Sequence, residues 1–137
     1  MKFTNRQFGE MEFEPKHVLV FPDGIIGFQN LKKYLIVDDA DSQPFRWLVS
    51  LEDPDISFAL IEPDAVLPDY REQHIHDRDT SVFLFVAIKD PIDASTMNLR
   101  SPVVIGSTDR MGHQIILEDD TLEMRHLLFA NRSELAE

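Results

Sequence analysis

The apolar residues of this chain stand in short runs, and the longest of them, Val82–Ile88, has the length of a strand. Eight prolines and five glycines are scattered between these runs. Such spacing is typical of many short strands in an all-β sandwich or barrel. At 137 residues the chain has the length of one domain. We therefore predict a mostly β fold over residues 1–137: a single compact antiparallel β-barrel-like domain of many short strands, with at most one or two short helices. Residues 130–137 are expected to form a frayed tail.

Alternation, β-branched and aromatic content, and turn residues locate the individual elements. The predicted strands cover residues 8–13, 18–21, 34–37, 46–51, 56–61, 71–76, 82–88, 102–105 and 114–117, and residues 97–99 form another short segment. Strands 46–51 and 56–61 are expected to pair as a hairpin around a four-residue acidic turn, and strand 82–88 to be buried on both faces. One helical turn is predicted over residues 28–33. After Thr121, either a capped helix or a closing strand at 127–129 fits the pattern.

The formal net charge of the chain is −12, from 13 basic and 25 acidic residues. Nucleic-acid binding requires basic side chains that displace counterions from phosphates, and the basic residues here do not cluster. Direct binding to nucleic acid or to an anionic membrane is therefore disfavoured. A basic protein partner fits better, because complementary charge accelerates encounter. The alternative is that the charge only keeps the chain in solution.

The absence of cysteine removes disulfides, thiolate zinc sites and cysteine nucleophiles, and is compatible with a reducing compartment. Residues 1–14 alternate between polar and apolar side chains, and they lack the apolar stretch of a signal peptide. The longest apolar run is also far shorter than the ~20 residues of a membrane helix. These features predict a cytoplasmic protein.

The chain carries none of the common nucleophile, phosphate-loop, dinucleotide or zinc-protease motifs. Its most suggestive cluster is His74-Ile75-His76-Asp77-Arg78-Asp79. On a strand over 71–76, His74 and His76 would project from one face, and Asp77 or Asp79 would complete a metal site. The alternative, a polar strand end in solvent, is favoured because two histidines fill only half of a tetrahedral zinc site.

Two further segments have two interpretations each. The acidic turn Glu52-Asp53-Pro54-Asp55 is either a solvated hairpin tip or a contact for a partner. Ile25 and Ile26, between Gly24 and Gly27, either fill the core or form an apolar contact surface.

Seven segments, in collinear order over about residues 6–128, resemble the bacterial flagellar assembly factor FliW family. They are Phe8–Glu10, Phe21–Phe28, Pro44–Leu48, Leu51–Phe58, Pro68–Tyr70, Asn98–Ile105 and Gly112–Leu117. A single block would carry little weight, whereas the ordered set with similar spacing is specific.

The resemblance implies a compact β-barrel-like fold with no catalysis, no cofactor and no metal. It also implies two protein partners: flagellin, and the basic RNA-binding translational repressor CsrA. In the family, the factor binds and inactivates the repressor, and newly made flagellin competes for the factor, so that flagellin translation is coupled to secretion. We expect the free chain to be monomeric. The alternative functions are a metal-dependent hydrolase built on His74 and His76, and a structural subunit of a larger assembly.

The repressor is expected to meet acidic side chains at strand ends, because loops expose carboxylates without burying them in the free protein. We predict the partner-binding residues Glu52, Asp53, Asp55 and Asp69, with Tyr70 as an aromatic anchor.

Overall fold

A computed structural model describes residues 1–129 of the chain. Within these residues, eleven strands and one α-helix follow one another along the sequence. They are β1 (Lys2–Asn5), β2 (Gly9–Glu12), β3 (Leu19–Val20), β4 (Lys33–Asp38), β5 (Arg46–Ser50), β6 (Ser57–Ile61), α1 (Tyr70–His74), β7 (Thr80–Ala87), β8 (Thr96–Met97), β9 (Val103–Gly106), β10 (Gly112–Gln114) and β11 (His126–Leu127). The predicted mostly β fold is confirmed, whereas the expected tail 130–137 lies outside the described residues.

The strands form one large antiparallel sheet and one separate hairpin. The sheet runs in the order β10-β9-β7-β6-β5-β4-β3, with β8 added to β7 and β11 added to β8. The hairpin consists of β1 and β2, with Phe3 opposite Met11. A two-stranded hairpin is marginally stable alone, so it depends on its contacts with the main sheet.

Strand β7 determines how the sheet curves, because different strands pair with its two halves along one edge. Its first residues pair with β9, as in Val82 opposite Val104, and its last residues pair with β8, as in Val86 opposite Met97. Its other edge pairs with β6. Val82, Phe83 and Leu84 are all buried, so the prediction that this strand is buried on both faces is confirmed.

The two ends of the sheet approach one another without closing a barrel. β3 and the turn before β10 meet in a single parallel bridge between Val20 and Met111, supported by a hydrogen bond from Val20 N to Arg110 O of 3.1 Å. At this seam the buried ring of Phe21 lies directly over Gly112, where an added Cβ would overlap the ring. The barrel-like description is therefore a loose one: the ends meet at one bridge and not along a ladder.

Two hydrophobic clusters occupy the two faces of the sheet. The first contains Phe21, Tyr34, Leu48, Leu60 and Phe83 among its members. The second is formed by Phe45, Ile61, Tyr70, Leu84, Met97, Leu99 and Leu128. Because successive strand residues point to opposite faces, neighbouring residues of β6 and β7 enter different clusters. The two clusters therefore share a common layer of backbone.

Several element boundaries differ from the sequence prediction. The predicted strand 71–76 is wrong: residues Tyr70–His74 form α1, because Tyr70 packs inward and His74, one helical turn later, lies against its ring at 4.9 Å. The helical turn over 28–33 is also wrong, although Phe28 and Leu31 do pack against the first cluster as predicted. After Thr121 the closing-strand alternative is borne out in part, by β11 at His126–Leu127.

The β5–β6 hairpin is confirmed. Of the predicted strand 114–117 only Gln114 lies in β10, which pairs with β9. The loop between β5 and β6 spans residues 51–56 and is longer than the predicted four-residue turn. Of the two isoleucines in the glycine-flanked turn, Ile25 is buried and fills the core, whereas Ile26 is 55% exposed. That Ile26 forms a contact surface stays a prediction.

The seam between Phe21 and Gly112 gives a test of the fold. Gly112→Ala is expected to lower the free energy of unfolding by about 1–3 kcal/mol, because the buried ring has no room to move. The control is Gly106→Ala, whose added methyl group would meet the side chain of Asp109. Asp109 is exposed, and its side chain can rotate away from the added methyl group at lower cost. We therefore expect a smaller loss in the free energy of unfolding, which comes from the hydrogen bond that Asp109 accepts from Met111 N. Urea unfolding measures both.

A double-mutant cycle separates overlap with the ring from a general effect of alanine. The cost of Gly112→Ala should fall when Phe21 is replaced by leucine. An equal cost in both backgrounds would contradict the assignment of the seam to this contact.

Candidate protein-binding surface

The loop between β5 and β6, which we term the acidic tip (residues 51–56), is held rigidly by its own polar groups. The hydroxyl oxygen of the fully buried Ser50 accepts hydrogen bonds from the backbone amides of Glu52 and Asp53, at 3.1 and 3.0 Å. The Asp53 carboxylate accepts the amide of Asp55 at 3.0 Å. Ile56 N donates to Asp53 O at 3.2 Å. The carboxylates of the tip therefore have fixed positions, which reduces the entropy lost when a partner binds.

The Glu52 carboxylate faces the beginning of β4. One of its oxygens accepts the backbone amides of Lys32 and Lys33, at 2.5 and 2.9 Å. These two hydrogen bonds hold the pKa of the Glu52 carboxyl below its usual range. The negative charge of Glu52 also adds to the effect of burial on Tyr34, and the pKa of Tyr34 is raised to about 12. Glu52 is therefore a structural anchor of the tip as well as an exposed charge.

Asp55 is the point where the N-terminal hairpin docks on the tip. Its carboxylate forms an ion pair with the Arg6 guanidinium at 2.6 Å, and Arg6 N donates to Pro54 O at 2.8 Å. The Asn5 side chain also donates to Pro54 O, at 3.3 Å. The charge of Asp55 is thus partly balanced within the chain, and the free negative charge of the tip is concentrated on Asp53 and Glu52.

The docked hairpin adds charges of both signs next to the tip. Glu10 and Glu12 on β2 are exposed, and the single Lys2 lies 3.4 and 3.8 Å from them. The sequence prediction missed this contribution. Residues 5 and 55 are far apart in sequence. Their proximity could be predicted only if the docking of the β1–β2 hairpin on the tip were predicted first.

Asp69 and Tyr70 do not belong to this surface. β6 leads away from the tip, and both residues follow its far end. Tyr70 is only 4% exposed, and its hydroxyl donates to Leu99 O at 2.5 Å. Burial raises the pKa of its phenol to about 12. The expectation of an exposed aromatic anchor at Tyr70 is wrong, because this ring fills the second hydrophobic cluster.

Asp69 is exposed and stands directly before α1 without making a side-chain capping hydrogen bond. The five predicted residues therefore divide into three at the acidic tip and two at the opposite end of the sheet. That Glu52, Asp53, Asp55 and Asp69 contact a partner stays a prediction.

The premise of the metal-site alternative is wrong, because His74 and His76 do not alternate along a strand. His74 ends α1 and packs against the Tyr70 ring, and His76 lies in the exposed segment that follows. Across residues 1–129, no group of three or more His, Asp or Glu side chains is arranged to hold a metal ion. The hydrolase hypothesis therefore has no geometric support in this part of the chain.

The fold and this surface define a class of mostly β protein, in which an open antiparallel sheet carries an ordered acidic loop. The family model described as FliW protein matches residues 2–128. The flagellar assembly factor FliW of Caldicellulosiruptor saccharolyticus is 38% identical over 138 residues, which cover 93% of this chain and 90% of that protein. The flagellar assembly factor FliW of Bdellovibrio bacteriovorus is 32% identical, over 94% of this chain and 79% of that protein.

A crystal structure of the flagellar assembly factor FliW superposes with a TM-score of 0.83 at 30% identity, covering 93% of this chain and 96% of that one. The chain belongs to the FliW family. The resemblance inferred from the sequence motifs is thereby confirmed, and membership in a family of assembly factors also confirms that the chain is not an enzyme. Among residues 1–129, no helix is long and apolar enough to cross a membrane.

The anchoring role of Glu52 predicts a pH-dependent effect on stability. The pKa of the Glu52 carboxyl is lower in the folded state than in the unfolded state. The stabilisation of the fold by this carboxylate is therefore fully present above the unfolded pKa of about 4.3, and it is lost as the pH falls through the lower folded pKa. Glu52→Gln should lower the free energy of unfolding at pH 7 by less than about 1 kcal/mol, since the group is exposed and screened. The difference from the unmodified chain should shrink as the pH falls below about 4.

Urea unfolding over a pH series measures this difference. Glu118→Gln is the control, because Glu118 is exposed and makes no hydrogen bond or ion pair within residues 1–129. A Glu52→Gln difference that stays constant from pH 7 to pH 3, or that equals the control, would show that the carboxylate does not anchor the tip.

Proposed function

We propose that this chain is a non-enzymatic protein-binding regulator of flagellar assembly. It binds flagellin and, in competition with flagellin, binds and inactivates the translational repressor CsrA. Flagellin that is waiting for export occupies the factor and leaves the repressor free to silence flagellin messages. Flagellin translation is thereby coupled to flagellin secretion. The free factor is a monomer in the cytoplasm and contacts neither nucleic acid nor membrane directly.

The observation that carries this proposal is the FliW family match over residues 2–128, together with relatives that are named flagellar assembly factors. The match covers both hydrophobic clusters and the acidic tip, so the whole binding scaffold is shared with the family. The named role supports flagellar assembly, and the identity of the two partners is the finer part of the proposal.

Electrostatics supports the basic repressor as one partner. The chain carries a net charge of −12, and its acidic tip holds Glu52 and Asp53 in fixed positions. A rigid cluster of like charge at one end of a sheet attracts an oppositely charged protein at long range and raises its association rate. This attraction falls as the ionic strength rises, because the Debye length at physiological salt is only ~8 Å.

Flagellin is expected to depend less on these charges. A factor that holds an unassembled subunit covers apolar surface that would otherwise aggregate. The chain exposes several large apolar side chains suited to such contacts, among them Ile26, Ile116 and Met124, at 55%, 61% and 58% exposure. Charge substitutions at the acidic tip should therefore affect the two partners differently.

The matched test neutralises the tip without removing its hydrogen-bond acceptors. Asp53→Asn with Asp55→Asn keeps an oxygen for Asp55 N and for Arg6 but removes two negative charges. The repressor association rate at low salt should fall by roughly threefold to tenfold, and flagellin binding should change by less than about twofold. Surface plasmon resonance at two salt concentrations measures both.

The control is Asp64→Asn with Glu72→Gln, which removes the same charge from exposed positions beyond the far end of β6. If the control slows repressor association as much as the tip variant, net charge and not the tip steers the partner. If the tip variant associates like the unmodified chain at low salt, the acidic tip is not the contact.

A further inference from the structure

A groove on the described part of the chain lies beside the end of β7. It has a volume of about 490 Å³, within the range of peptide and small-molecule sites. Its lining residues come from β7, from β8 and from the segment before β11: Phe85, Val86, Ala87, Lys89, Thr96, Asn98, Met124 and Arg125. We term it the basic groove.

The floor of the basic groove is a hydrogen-bonded ladder and is therefore rigid. Ala87 lies opposite Thr96 in the β7–β8 pair, and Asn98 N donates to Phe85 O at 3.0 Å. The wall that carries Met124 is fixed by a hydrogen bond from Leu99 N to Glu123 O of 2.9 Å. A groove held at its floor and at one wall has the same shape before and after binding, which favours docking of an extended segment.

Two cations stand at the rim of the basic groove. Lys89 and Arg125 are exposed, and neither forms an ion pair with any acid of residues 1–129. In contrast, Lys2, Arg6 and Arg46 are each paired with carboxylates. The buried Ser95 hydroxyl accepts a hydrogen bond from Lys89 N at 2.9 Å. This bond holds the start of the loop that follows β7 at the rim of the groove. Asp90 and Asp93 belong to the same loop but do not line the groove.

Apolar side chains accompany these cations. Met124 lines the groove and is 58% exposed, and Ile88 and Leu127, close by in sequence, are 42% and 51% exposed. Methionine is flexible and adapts to different apolar partners. The combination of these exposed apolar side chains with two unpaired cations matches a peptide that has both apolar side chains and carboxylates.

We propose that the basic groove is a docking site for an extended segment of a partner protein in which apolar residues alternate with acidic ones. The apolar side chains cover Met124 and the β7–β8 ladder, and the carboxylates pair with Lys89 and Arg125. The basic groove selects acidic segments, whereas the acidic tip selects basic partners. The inference goes beyond the proposed function, because it does not use the identity of either partner named above.

The probe is a short synthetic peptide of alternating leucine and aspartate, compared with its leucine–asparagine and leucine–lysine counterparts. Chemical-shift changes in the ¹H–¹⁵N spectrum of the labelled full chain should cluster at Val86, Ala87, Thr96 and Asn98 for the aspartate peptide. Affinity should follow the order aspartate, asparagine, lysine. Shifts elsewhere, or a lysine peptide that binds as tightly, would overturn the proposal.

Charge reversal provides the matched comparison. Lys89→Glu with Arg125→Glu should weaken aspartate-peptide binding by about tenfold or more. Arg78→Glu with Lys16→Glu makes the same change in net charge at exposed cations outside the groove and should alter the affinity by less than about twofold. Equal weakening by both pairs would assign the effect to net charge and contradict a site.

An apolar pair completes the design. Met124→Ser should weaken binding several-fold, whereas Ile116→Ser, at a similarly exposed residue away from the groove, should not. Because all arms use only the free chain and synthetic peptides, failure here would leave flagellin and repressor binding untouched, and failure of those interactions would leave this result standing.

Discussion

Two backbone amides, those of Lys32 and Lys33, converge on the carboxylate of Glu52, and this contact ties the acidic tip to the start of β4. The next residue of β4, Tyr34, is fully buried in the first hydrophobic cluster. On its other side the tip receives the N-terminal hairpin through Asp55 and Arg6. One hydrogen-bonded loop thus joins the sheet, its core and the separate hairpin, and the placement of the exposed charges depends on it.

The acidic tip and the basic groove lie at the same end of the strands. β6 leaves the tip, and β7 returns beside it with Ala59 opposite Val86, so the last residues of β7 come back to the level of the tip. Two neighbouring surfaces of opposite charge select different partners by charge. Two large proteins bound at these two surfaces would overlap, because both surfaces lie at one end of a small domain.

The sequence predicted the strands best where local patterns and packing agree. β7 and the β5–β6 hairpin are examples, since unbroken apolar runs and an acidic turn leave few alternatives. The helix α1 was missed because it has only five residues and its single buried side chain, Tyr70, leaves no apolar period to detect. Of the candidate surface, the tip itself was predictable from turn chemistry. The ion pair between the tip and Arg6 was not predictable, because contacts between residues so distant in sequence depend on tertiary docking. The two cations of the basic groove were not predictable either, because only the pairing of β7, β8 and β11 brings them together.

The central claim is that one β domain is exchanged between two protein partners and does not hold both. The most direct test is a sedimentation-velocity titration. Fluorescently labelled CsrA is mixed with an excess of this chain, and flagellin is then added. Partner switching predicts that the labelled repressor sediments as a complex without flagellin and returns to its free sedimentation coefficient as flagellin is added. A faster-sedimenting species that contains all three proteins would contradict it.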